Sequence, residues 1–203
     1  MNSKYLGDCV LSGNIDDVKD ILKNGSSYPL HVNGIDDKDF SLAVQLASLY
    51  SKTAILKILL DDPRILKIVN WRQILCRSGN LTTVKFILNE LKSQPIHVKS
   101  YLNTAIEEYS SGSIEILKYL LDEMTEDGVP ARYMEDKDNK ALFFAAQDCK
   151  IDNVKLLLKD GRFNFASSIS NAFIVAEEMQ RYYVDVDDIY RDYTEIISIL
   201  KEY

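Results

Sequence analysis

The 203-residue chain is poor in the side chains that build reactive centres, holding three cysteines, two histidines and one tryptophan. Cys9, Cys76 and Cys149 are odd in number and far apart, which excludes a disulfide framework and a zinc site of ordinary spacing. Cys9 and Cys76 fall on small-residue positions of short helices and read as buried free thiols. His31 and His97 lie in expected loops of different segments, which excludes a Ser-His or Cys-His pair. There is no P-loop, no Gly-x-Gly-x-x-Gly and no His-Glu-x-x-His. The acidic clusters at Asp36, Asp37 and Asp39, at Asp136 and Asp138, and at Asp185, Asp187 and Asp188 lack the glycine and terminal Glu of a calcium loop. They read as solvated helix starts. No apolar run reaches the roughly 18 residues of a membrane span, and the first residues carry no secretory apolar stretch. The expectation is a soluble, cytoplasmic protein without metal or cofactor.

What the chain has in quantity is one amphipathic pattern. Leu81, Val84, Ile87 and Leu88 fall at i, i+3, i+6 and i+7, one stripe of a helix. The pattern returns at Ile15, Val18, Ile21, Leu22, at Ile114, Leu117, Leu120, Leu121, and at Ile151, Val154, Leu157, Leu158. Weaker copies run through Thr53, Leu56, Leu59, Leu60 and Tyr193, Ile196, Ile199, Leu200. The second stripe residues are spaced 38, 28, 33, 37 and 42 apart, within the range of two-helix solenoid repeats. At 46% hydrophobic residues with mixed charge the chain is not disordered. A single copy cannot stand alone. Ordering about 35 residues costs roughly 1–2 kcal/mol each, against about 1.5–3 kcal/mol from each buried stripe side chain. Neighbouring copies must cover one another's apolar faces.

Gly13, Ser51, Gly79, Gly112, Cys149 and Arg191 stand at the turn position before each stripe helix. A shorter helix is expected before each turn, with small residues near its end, as in Val44-Gln45-Leu46-Ala47-Ser48 and Leu142-Phe143-Phe144-Ala145-Ala146. Asn24-Gly25, Asp61-Asp62-Pro63 and Asp160-Gly161 break the chain after the stripe helix. From Asp138 to Gly161 the residues resemble the ankyrin repeat family, in the double alanine Ala145-Ala146, the turn at Cys149-Lys150 and the close Val154-Lys155-Leu156-Leu157-Leu158-Lys159-Asp160-Gly161. Lys140 and Ala141 stand for that family's Thr-Pro, and Phe143 for its His. The Leu-Leu-x-Asp-Pro-Arg run at 59–64, echoed at 157–162, is similar to divergent ankyrin proteins of large DNA viruses and protists.

The resemblance implies an all-α fold: one ankyrin-type solenoid over 1–203, with six repeats at about 1–38, 39–69, 70–99, 100–137, 138–168 and 169–203 and altered terminal copies. In the first repeat Asn14 or Asp16 is placed to cap the second helix. Residues 26–39 read as a projecting finger or a solvated connector. A tight connection is expected over 62–70, and Trp71 reads as a packing residue at a helix start. Residues 123–138 form the longest insertion, acidic and either functional or a connector. The last helix, about 187–202, is expected to expose Tyr190, Asp192 and Tyr193.

The net charge of −7 conceals an uneven distribution. Residues 1–51 carry 4 basic and 7 acidic groups, 52–100 carry 9 and 3, and 101–203 carry 11 and 21. Lys19, Lys57, Lys85, Lys118 and Lys155 share one offset in their stripe helices, which says solvated outer face rather than nucleic-acid contact. A protein partner of complementary charge fits better.

The resemblance implies a monomeric, non-enzymatic protein-binding module whose partner lies on the hairpin tips and the concave face of the first helices. Carried over by position, the contact residues are Lys38, Asp39, Leu49, Tyr50, Lys67, Arg77, Ser78, Tyr109, Asp136, Lys137, Asn139, Gln147 and Asp148. The viral likeness implies an effector that engages a host factor in the host cytoplasm. No F-box-like segment is read after the repeats. The alternative is a small catalytic or nucleotide-dependent protein using the 123–138 loop.

Overall fold

The computed structural model describes residues 5–24, 37–95, 98–126 and 140–203. All regular structure among them is α-helical. The chain forms two compact units, Met1–Val98 and Lys99–Tyr203.

In the first unit, α1 (Leu6–Ser12), α3 (Asp37–Leu49) and α6 (Trp71–Cys76) pack side by side, α1 on α3 and α3 on α6. Each turns back into a partner: α2 (Ile15–Asn24), α4 (Thr53–Leu60) and α7 (Leu81–Ser93). These form a second row, α2 on α4 and α4 on α7. In the second unit α8 (Val98–Ser110) precedes α9 (Ile114–Glu126), α10 (Ala141–Gln147) turns back into α11 (Ile151–Asp160), and α12 (Ala166–Tyr182) into α13 (Asp187–Lys201). There α10 packs on α12, and α11 on both α9 and α13. The connection over 62–70 is not plain loop: α5 (Pro63–Leu66) fills it, with Pro63 at its first position and the Asp62 carboxylate accepting from the Arg64 N–H.

The stripes form the cores. Val18, Leu56, Val84, Leu117, Val154 and Ile196 are all fully buried, as the period requires. The first stripe residue is covered less: Ile15, Thr53, Leu81 and Ile151 are half-buried and Ile114 is exposed. The exception is Tyr193, which is buried and does not face solvent as expected. Its hydroxyl donates to the Gln147 carbonyl at 2.6 Å and its ring stacks on Tyr183. Trp71 is buried, as packing requires. Cys9 is buried and Cys76 only half-buried. The five regularly spaced lysines are all exposed.

Three turns share one geometry. Gly13, Ser51 and Cys149 take left-handed backbone, at φ 77°, 55° and 55°. In each, the left-handed N–H reaches the carbonyl three residues back and the next N–H reaches five back, ending at Val10 and Cys9, Ser48 and Ala47, and Ala146 and Ala145. This is the Schellman closure, which satisfies helix-end carbonyls. Asn14 then caps α2, its side-chain oxygen accepting from the Asp17 N–H, and Asn80 caps α7 through Thr83. Gly79 has another reason to be glycine. A Cβ there would lie 2.4 Å from the Leu49 carbonyl oxygen, because this turn packs directly on the preceding one.

Several boundaries differ from the sequence expectation. The first helix of a hairpin is shorter than its partner for α1, α6 and α10, but α3 has 13 residues against 8 in α4, and α12 has 17 against 15 in α13. The α8 and α9 helices each have 13. Arg191 lies inside α13 and not at a turn, and α12 begins at Ala166, three residues before the expected start of the sixth repeat at 169.

The repeated Asp-x-Arg element ties neighbours together. Asp62 grips the Arg64 guanidinium through both oxygens, and Arg64 Nη2 donates to the Leu22 carbonyl of α2 at 2.8 Å. Asp160 grips Arg162 in the same way, and its Nη2 donates to the Leu121 carbonyl of α9 at 3.0 Å. Each cation thus meets a carbonyl in the C-terminal part of the preceding partner helix, where the helix dipole favours positive charge.

Candidate functional site

The α3 helix carries two apolar stripes. Phe40, Ala43, Val44 and Ala47 are buried against the layer below. Leu42, Leu46 and Leu49 fall at i, i+4 and i+7 on the other side. Leu42 and Leu49 are 50% and 49% exposed and Leu46 is half-buried. Gly7 of α1 leaves room beside this second stripe, since a Cβ there would touch Leu46 at 3.4 Å and Leu42 at 3.9 Å. Tyr50, 55% exposed, continues the line into the turn.

The neighbouring turn packs on the end of α3. The Gly79 N–H donates to the Ser48 carbonyl. The Ser48 hydroxyl donates to the Ile74 carbonyl at 2.6 Å and lies 2.9 Å from the Ser78 hydroxyl. This lock holds Ser78, and with it the turn that begins at Arg77, against the end of α3. Between α3 and α6 the Gln73 amide donates to the Gln45 side-chain oxygen at 2.8 Å. On the other flank the Lys52 ammonium approaches Gly13. Arg72 and Arg77 are exposed, and neither they nor Lys52 has an ion pair among the described residues.

The second unit has a cavity of about 310 Å³ between α10 and α12. Phe143 and Phe144, edge to face with centroids 5.6 Å apart, form one wall. Val175 and Ile174, the latter 51% exposed, form the other. Asn171 and Ser168 stand on the rim, and it carries two charges, Lys140 and Glu178. The Lys140 backbone N–H donates to Glu107 at 3.1 Å, and neither its ammonium nor the Glu178 carboxylate has an ion pair among the described residues. The α10 helix buries Ala141, Leu142, Ala145 and Ala146. That face requires the intervening phenylalanines to point away from the core.

The residues expected to contact a partner divide by exposure. Lys38, Leu49, Tyr50, Lys67, Arg77 and Asp148 are exposed, and Asp39 and Gln147 are half-buried. Ser78 and Tyr109 are buried and leave the set. Ser78 belongs to the Ser48–Ile74 lock, its own hydroxyl donating to Ile74. Tyr109 is the last residue but one of α8, where its ring and backbone lie beside Gly112. Asp136, Lys137 and Asn139 lie outside the described residues, as do His31, His97 and positions 127–138 of the insertion. The sequence reading missed Leu42, Leu46, Phe143, Phe144 and Ile174. The signal was present in α3 as a second i, i+4, i+7 series.

The half-buried Cys149 thiol is not activated as a nucleophile. Burial first, and then the Asp192 charge, push the Cys149 thiol up to about 11, which keeps it protonated at neutral pH. Burial likewise raises the Tyr193 phenol above its ordinary value. Among the described residues no three His, Cys, Asp or Glu side chains converge to hold a metal ion, and no helix is long and apolar enough to cross a membrane. No protein-family model matches the chain, and neither the curated proteins nor the solved structures contain a match to it.

Proposed function

We propose that this chain is a non-enzymatic protein-binding module built of ankyrin-type helix-turn-helix repeats, holding its partner on the outward face of α3 and α6. The observation that carries the reading is the second apolar stripe of α3. Leu42, Leu46 and Leu49 lie on the side of the helix away from its core stripe, and the adjoining α6 carries Arg72 and, at its C-cap, Arg77, both exposed and without an ion pair among the described residues. Leu42 and Leu49 are already half covered, so burying the rest on a partner returns about 0.8–1.5 kcal/mol each. Unpaired cations at the rim favour a partner with acidic groups and speed its approach. The Schellman turns and the Asp-x-Arg elements support the repeat reading, since each recurs at equivalent points of separate hairpins.

The reading is tested by placing a photo-crosslinking amino acid at position 49 or at position 57, on the opposite side of its hairpin, in the cell of origin. Crosslinks to a discrete protein are expected from 49 and not from 57, and are expected to vanish in a Leu42→Glu background. Leu42→Glu changes an exposed side chain, so its stability is expected within about 0.5 kcal/mol of the parent. Equal crosslinking from both positions, or unfolding by Leu42→Glu, overturns the assignment of faces.

A further inference from the structure

We infer that the groove between α10 and α12 is a second docking site, for a basic peptide segment anchored by one bulky apolar side chain. The inference rests on the protein-binding reading but on a different surface. The cavity of about 310 Å³ lies at the lower limit of ligand-sized pockets, which suits an anchor side chain rather than an extended small molecule. Its walls offer two aromatic rings on one side and branched aliphatics on the other, surfaces that grip a single apolar group from both sides. Half of Ile174 stands in water although the helix has Ala172, Val175 and Ala176 to fill its core face. Ile174 is therefore surplus to folding.

Charge decides the occupant. Residues 166–203 carry eight acidic groups against three basic ones. Two of the acids hold two of those bases, Glu177 with Arg181 and Asp188 with Arg191, and a third acid, Glu195, is taken by Lys155 of α11. Glu178 has no such partner among the described residues and lines the groove itself. A Lys or Arg of the incoming segment meets Glu178, while the net negative charge of residues 166–203 favours the approach of a basic chain. Lys140, on the other helix, meets a carbonyl or carboxylate of the same segment and sets its direction.

The test uses the full chain as bait for phage-displayed random peptides, with Ile174→Asp as the counter-selection. Enriched peptides are expected to share a Phe, Leu, Ile or Trp with a nearby Lys or Arg. In fluorescence anisotropy their synthetic forms are expected to bind at least tenfold more weakly to Ile174→Asp. Glu178→Lys is expected to reverse the preference toward peptides with Asp or Glu. Both positions are exposed, so thermal unfolding of each variant is expected to match the parent. Enrichment of acidic motifs, no enrichment over Ile174→Asp, or affinities that neither substitution moves would overturn the assignment. Peptides lost with Leu42→Glu but kept with Ile174→Asp sink the groove and leave the protein-binding reading standing. Failure of crosslinking from position 49 strikes that reading and leaves the peptide result independent.

Discussion

Replacing Gly79 by alanine tests whether adjacent hairpins are held by direct contact between their turns. The new Cβ falls 2.4 Å from the Leu49 carbonyl oxygen and 2.6 Å from Ser51 Oγ. The serine hydroxyl can rotate away, but the carbonyl belongs to the backbone that ends α3. Restoring ordinary contact at 3.4 Å requires the two turns to part by 1.0 Å. That movement strains the Gly79 N–H bond to Ser48, worth about 1 kcal/mol, and adds an overpacking cost of about 1–3 kcal/mol. Reduced freedom of the unfolded chain offsets roughly 0.4–1 kcal/mol, leaving a net loss of about 1–3.6 kcal/mol. Gly161 is the control. Its φ of +78° strains any side chain, but nothing lies within 4 Å of the added Cβ. Alanine there should cost about 1–2 kcal/mol, and asparagine, which tolerates left-handed backbone, should recover much of it. Asparagine at position 79 should recover nothing, because the obstacle there is a neighbouring atom and not a dihedral angle. Urea unfolding followed by far-UV circular dichroism reads all four variants. A Gly79→Ala variant within about 0.5 kcal/mol of the parent, or one rescued by asparagine, refutes the account.

The two arginine ties should differ in strength. Removing Arg162, whose side chain is 11% exposed, strands Asp160 and the Leu121 carbonyl and should cost about 3 kcal/mol, while Arg64→Ala, at 52% exposure, should cost about 1 kcal/mol in the same unfolding assay. The hydrogen bond from Arg64 holds the Asp62 carboxyl below its ordinary value, against the opposing effect of burial. The unfolded chain therefore takes up this proton first as pH falls, so the contribution of Asp62 is complete above about pH 4 and is lost below it. Stability measured between pH 6 and 3 should fall less steeply in Asp62→Asn than in the parent, and identical slopes would remove Asp62 from the acid response.

Periodicity is a local property, and what depends on it was legible from the residues alone. A helix turns once in about 3.6 residues wherever it sits, so the series from Val18 to Leu22 and from Val154 to Leu158 told which face each helix buries before any neighbour was known. The same arithmetic put the five regularly spaced lysines on exposed positions. It failed where a residue answers to something distant in sequence. Tyr193 reads as a surface tyrosine until its hydroxyl meets the carbonyl of Gln147. Ser78 reads as a surface position until Ser48, on a different helix, closes on it.

The glycine at 79 and the glycine at 13 look alike in the sequence, yet one is required by a left-handed turn and the other by a carbonyl of the preceding hairpin. The Asp-x-Arg repetition was visible at 59–64 and 157–162, but its purpose was not, because each arginine ends on a backbone oxygen more than forty residues earlier. The candidate sites belong to the same class. The sequence by itself determined that this is a set of amphipathic helices with more apolar surface than one packed face can use. Only the tertiary structure decided where the surplus lies, at Leu42 and Leu49 and between Phe144 and Ile174, because which apolar side chain remains uncovered depends on how neighbouring helices pack around it.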